Sequence, residues 1–137
     1  METKDFERTI YFQEDTNSGI WFPIITAEFL TKFNSWITVP LLFDTGATDI
    51  VLVRDYLKSL NRGQDQKVNQ AGWKKPRKVP TATCRIRTLG VEQDCKVLLC
   101  SLPPNPLYSG LFGRALFSLF GFGFWESVSE FYLTLKP

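Results

Sequence analysis

Histidine is absent from the 137 residues, methionine occurs once, and the three cysteines stand at positions 84, 95 and 100 with no close pairing pattern. Each shortage excludes a chemistry. Without histidine neither a Ser-His nor a Cys-His nucleophile can be assembled, and no Cys/His zinc spacing exists. Neither a metal ion nor another cofactor is expected, so any catalysis must use carboxylates. An odd number of cysteines and an N-terminal METKDFERTIYF without an apolar core point to a reduced, cytoplasmic setting, with no disulfide framework and no cleaved signal. Long hydrophobic runs are missing too. The longest apolar stretch, Leu111 to Trp125, contains Arg114 and three glycines and falls short of the roughly 20 residues of a membrane span. A soluble protein without a membrane partner is expected.

What remains describes one compact domain, 1–137: 44% hydrophobic, 15% aromatic and 22% charged residues with a formal charge of +2 suit a single folded core. The near-neutral total conceals an asymmetry. Residues 62–87 carry Arg62, Lys67, Lys74, Lys75, Arg77, Lys78, Arg85 and Arg87 against Asp65 alone, a local charge of +7 that leaves −5 elsewhere. A run of this kind is a solvated face, or a surface for an acidic substrate or nucleic acid.

Short apolar or alternating runs bounded by Gly, Pro, Asn and Asp predict strands over Thr9–Phe12, Phe22–Leu30, Trp36–Phe43, Ile50–Val53, Val79–Leu89, Cys95–Leu102 and Phe131–Leu135. The class is all-β, a barrel or sandwich. Arg54–Leu60 fits a helical turn or two. Leu116, Phe117 and Phe120 recur at helical spacing, which predicts a short C-terminal helix over Arg114–Phe120. Asn61–Pro80 is polar, basic and broken by Gly63, Gly72, Pro76 and Pro80, the character of a mobile excursion. The apolar strand Phe131–Leu135 calls for a partner along its edge.

The segment VPLLFDTGATDIVLV, residues 39–53, carries the chemistry. An aspartate between two runs of strand-forming apolar residues is a costly place for a charge unless a specific role compensates it. Gly46 supplies a turn without a Cβ, and Thr45 a hydroxyl able to tie the turn to a neighbour. Asp15-Thr16-Asn17 lacks the glycine and reads as an exposed turn.

Leu42-Phe43-Asp44-Thr45-Gly46-Ala47, together with Leu111-Phe112-Gly113-Arg114 before the C-terminal helix, resembles the paired motifs of the retropepsin-like aspartic proteases, with Gly46 and Gly113 67 residues apart. The resemblance spans about Ile20 to Pro137. It implies a closed β-barrel of the retropepsin type, half of a pepsin-like fold, with one short C-terminal helix. Residues 1–19 become an N-terminal extension or interface strand, and 61–80 a flap-like excursion. Two departures stand out: the acid usual four residues after the catalytic aspartate is Thr48 here, with Asp49 next, and the residue after the motif arginine is Ala115.

The resemblance implies an aspartic endopeptidase active as a homodimer. Asp44 is the catalytic residue, in an active-site turn with Thr45 and Gly46; Ala47, Asp49, Gly72 and Trp73 contact a peptide or protein substrate, and Gly113 and Arg114 form the structural motif. One carboxylate per chain agrees with this, since activating water on a peptide carbonyl needs an acid and a base together. Two other functions compete. One is a catalytically inactive peptide-binding or dimerisation module of the same fold, suggested by Thr48 and Ala115. The other is a basic β-barrel binding nucleic acid, with Trp73 stacking a base among Lys74, Lys75, Arg77 and Lys78; a carboxylate in a glycine turn has no use in such a binder.

Overall fold

A computed structural model describes residues 7–69, 73–125 and 130–135 of the chain. The strands run in order β1 (Glu7–Asp15), β2 (Ile20–Leu30), β3 (Trp36–Phe43), β4 (Ile50–Val53), β5 (Gln66–Val68), β6 (Arg77–Val79), β7 (Thr81–Thr88), β8 (Val91–Cys100), β9 (Gly110–Phe112), β10 (Phe120–Trp125) and β11 (Glu130–Leu135). Two 3₁₀ turns punctuate them, Arg54–Ser59 after β4 and Arg114–Leu119 after β9.

Six strands close into a barrel in the order β2-β3-β9-β4-β8-β7, and the ring shuts where Glu28 and Phe29 of β2 pair with Arg87 and Ile86 of β7. Alternation explains its filling. Side chains on a strand point to opposite faces in turn, so Ile25, Ala27 and Phe29, then Val39, Leu41 and Phe43, then Ile50 and Leu52 all reach the interior. Ala82, Cys84 and Ile86 of β7 meet them from the far wall with Cys95, Val97 and Leu99 of β8. Leu60, just after the first 3₁₀ turn, and Leu116, within the second, join the same core. Burying each larger side chain contributes roughly 1.5–3 kcal/mol.

The β7–β8 hairpin turns on Leu89 and Gly90, whose φ values of 52° and 83° suit the right-handed twist of its strands. Leucine rarely adopts this conformation; here its side chain packs against the barrel core, which offsets the local strain. The buried hydroxyls are satisfied: Thr88 donates to the Thr26 carbonyl at 2.9 Å, and Thr81 to that of Gln64 at 2.6 Å.

A second apolar cluster lies on the opposite face of β4 and β8. Val51, Leu98 and Cys100 point away from the barrel interior and are covered by Val79, Val68, Trp73, Leu102 and Leu111. The excursion Asn61–Pro80 therefore contains a hairpin, β5 against β6, seated on the barrel. Its base is pinned by Gly63 N–H to the Thr81 carbonyl at 2.8 Å and by the bridge between Arg62 and Ala82.

Two expectations are refined, for the C-terminal helix and the segment 1–19, and two are corrected, for the C-terminal strand's edge and the start of β8. The C-terminal helix is a 3₁₀ turn that stops at Leu119, because Phe120-Gly-Phe-Gly-Phe-Trp125 continues as β10. The period-2 alternation of phenylalanine and glycine overrides the helical spacing there. The strand near the C-terminus is not an edge: β11 lies between β10 and β1. The segment 1–19 contributes β1, which pairs with β11 through Glu7–Tyr11 and with β2 through Phe12–Asp15. Finally, β8 begins at Val91 instead of Cys95, because Glu92 and Asp94 face Arg87 and Arg85 across the hairpin and cross-strand pairs of opposite charge support a polar strand end.

Candidate active site

Asp44 follows the last residue of β3, and the turn Asp44–Asp49 leads into β4. These two strands are consecutive in sequence yet do not pair. Strand β9 lies between them, parallel to β3 through Leu42↔Leu111 and Phe43↔Phe112 and antiparallel to β4 through Val51↔Leu111. The two sequence motifs are thereby brought together. Asp44 N–H donates to the Phe112 carbonyl at 3.1 Å, and Arg114 N–H to the Ala47 carbonyl at 2.9 Å. Behind them the Phe43 and Phe112 rings stack with centroids 5.9 Å apart.

Gly113 is required by this contact. A Cβ there would run into the Asp49 carbonyl oxygen and lie 2.9 Å from that of Ala47, closer than real side chains come to backbone. The turn is also closed internally, with Gly46 N–H donating to Asp44 Oδ1 at 2.9 Å and Ala47 N–H to the Asp44 carbonyl at 3.3 Å. The Asp44 carboxylate is thus oriented by its own turn and half-buried at the barrel end, while Thr45 and Gly46 are exposed beside it.

The remaining candidates separate. Asp49 is largely covered, its Oδ1 3.9 Å from Lys96 Nζ on β8, and its charge helps burial push the Cys95 thiol up to about 11. Arg114 is exposed, and its Nη2 donates to Thr48 Oγ1 at 3.3 Å. A neutral hydroxyl has taken over the position where the resemblance leads one to expect an acid. Trp73 sits on the hairpin, half-buried in the second cluster with the Arg77 guanidinium 4.6 Å above its ring. Gly72 lies outside the described residues.

Reading for single carboxylates missed the apolar strip of Val51, Leu98 and Leu111 next to the turn. A signal was present: Ile50–Val53 and Val97–Cys100 are unbroken apolar runs, the mark of strands covered on both faces. The strip begins at Leu111, opposite Leu42, two residues before Asp44.

No family model and no curated protein matches this sequence. Among solved structures, the chain is similar to a retropepsin-like aspartic protease from Rickettsia conorii, at 21% identity and a TM-score of 0.56, over 94% of this chain and 91% of that one. It is also similar to EIAV protease complexed with the inhibitor HBY-793, at 19% identity and a TM-score of 0.50, over 71% of this chain and 86% of that one. At these identities the likeness is one of fold. The chain has the fold of the retropepsin-like aspartic proteases, with its Asp-Thr-Gly turn at the junction of β3, β9 and β4.

Proposed function

We infer that the protein is an aspartic endopeptidase whose active form is a homodimer, with Asp44 of each copy facing the other across a two-fold axis. The observation that carries this reading is the Asp44–Gly46 turn itself. Its carboxylate is held by a backbone N–H at 2.9 Å, and the turn is clamped to Phe112 of β9 and to Arg114 just beyond it by two further backbone hydrogen bonds. This is far more positioning than a surface β-turn needs.

A single chain supplies one such carboxylate, and a second copy completes the pair. Two carboxylates that close share one proton, because like charges at short range cannot both ionise. The ionised Asp44 takes a proton from water as its oxygen bonds to the scissile carbonyl carbon. The protonated partner polarises the carbonyl oxygen, and transfer of a proton to the nitrogen lets the C–N bond break. A substrate would lie across the exposed Thr45–Gly46 end of the turn, since the neighbouring strip of Val51 is already covered by the β5–β6 hairpin.

Asp44→Asn tests the reading. It preserves size while removing the charge that must be shared, so hydrolysis of a diverse peptide library between about pH 3 and 7 should disappear while the dimer measured by sedimentation stays folded. The wild-type rate should be bell-shaped with an optimum on the acid side of neutral. Hydrolysis by the Asn variant would reject the mechanism. An inert wild type that still binds peptides would leave the non-catalytic module.

A further inference from the structure

The eight basic residues of 62–87 divide into two groups. Arg62 pairs with Asp65 at 2.9 Å, Arg85 with Glu92 and Asp94 at 3.0 and 3.3 Å, and Arg87 with Glu28 at 3.0 Å while lying 3.9 Å over the Trp36 ring. These three are locally neutralised. The other five, Lys67, Lys74, Lys75, Arg77 and Lys78, all belong to the β5–β6 excursion and are exposed. Among the described residues none of them has a carboxylate within ion-pair distance. The sequence from Gln66 to Pro80 contains no acid at all.

The register sharpens the point. Lys67 is directly opposite Lys78, a like-charge cross-strand pair that works against its own hairpin. Val68 and Val79 turn their side chains onto the barrel's second cluster, so alternation places Lys67 and Lys78 on the face turned away from it.

We propose that this outer face of the β5–β6 hairpin docks an acidic polypeptide segment. Three observations favour that occupant over other polyanions. Trp73, the aromatic able to stack a base, is already covered by Arg77 on one side and packed into the cluster, which removes the platform a single-stranded nucleic acid uses. Among the described residues the exposed large apolar side chains, Ile20, Trp21 and Phe33, are not on the hairpin, so its described part offers nothing to insert into a membrane. Arg77 lies opposite Val68 and so on the packed face, which leaves lysines as the outward charges, compact cations on flexible stems suited to diffuse attraction of carboxylates. That the docked segment flanks a scissile bond delivered to Asp44 rests on the endopeptidase reading; the docking does not.

The test is fluorescence anisotropy of a labelled glutamate-rich 12-residue peptide with the intact protein and its Lys67→Glu variant. Wild type should bind saturably at low salt and lose about fivefold or more in affinity as ionic strength rises to about 0.3 M. The variant should bind about tenfold more weakly at low salt. Its melting temperature should be unchanged or higher, because a carboxylate at 67 faces Lys78, so weaker binding cannot be ascribed to unfolding. Equal binding by both proteins, or binding indifferent to salt, overturns the proposal. Displacement of the peptide by an oligothymidylate of equal charge at a tenfold lower concentration assigns the face to nucleic acid and overturns it as well. A wild type that binds the peptide but hydrolyses none removes the endopeptidase reading and leaves the docking face. One that cleaves peptides with acidic and basic flanks at equal kcat/KM, without binding the probe, does the reverse.

Discussion

Replacing Gly113 by alanine adds one carbon where the structure has no room for it. Its Cβ would overlap the Asp49 carbonyl oxygen and sit 2.9 Å from the Asp49 carbonyl carbon and from the Ala47 oxygen. All three are backbone atoms, so no rotamer change relieves the contact. The end of β9 must move off the Asp44 turn, at a cost of about 1–3 kcal/mol for the overpacking. That motion also stretches Arg114 N–H to Ala47 at 2.9 Å and Asp44 N–H to Phe112 at 3.1 Å, each worth about 1 kcal/mol net. The total, about 3–5 kcal/mol, is a large share of the stability of a domain this size. It should lower the melting temperature by about 10–20 °C, read by calorimetry or by the denaturant midpoint at constant m-value. Gly46→Ala is the internal control, because its Cβ meets only the Asp44 Oδ1 side-chain atom, at 3.2 Å, and should cost far less. A Gly113→Ala protein melting within about 3 °C of wild type would refute the claim that the two motifs are in obligatory backbone contact.

Two further outcomes follow from the same geometry. Arg114→Ala removes an exposed side chain whose hydrogen-bond partner is Thr48 at 3.3 Å, so the loss should be at most about 1 kcal/mol; a loss of several kcal/mol in denaturant titration would mean the arginine is buried in an assembly. Cys84 and Cys95 face each other across β7 and β8, and burial pushes their thiols from the ordinary 9.0 up to about 12 and about 11. The folded protein therefore holds both protonated where the unfolded chain would ionise them, so their contribution is complete below pH 9 and lost as pH rises towards about 11 for Cys95 and about 12 for Cys84. Stability measured by denaturant titration should fall over that window, and serines at 84 and 95 should flatten the slope.

Much of the barrel was legible because its strands alternate. Trp36–Phe43 and Ile50–Val53 were read with the ends the structure gives them, since a charged or polar turn bounds each. The Asp44 turn was legible for the same reason, a carboxylate and a glycine set between apolar runs. Strand β9 was invisible as a strand: three residues carry no period, and its place between β3 and β4 is a long-range decision. Strands β5 and β6, also three residues each, were hidden by lysines, because only Val68 and Val79 report the face that packs. The Arg114 side chain is exposed, and the motif acts through its backbone N–H, which grips Ala47; backbone is what sequence patterns report least.

The insertion of β9 between β3 and β4 also sets an order of events in time. Arg114 and Thr48 meet across 66 residues of chain, and the carbonyl that Asp44 N–H binds belongs to Phe112. During synthesis β3, β4 and the Asp-Thr-Gly turn leave the ribosome long before the strand that separates and aligns them. Contacts so distant in sequence form late, because loop closure must be met first. The turn therefore acquires its geometry only after β9 has threaded into place, and a nascent chain halted before Gly110 holds the aspartate without the frame that orients it.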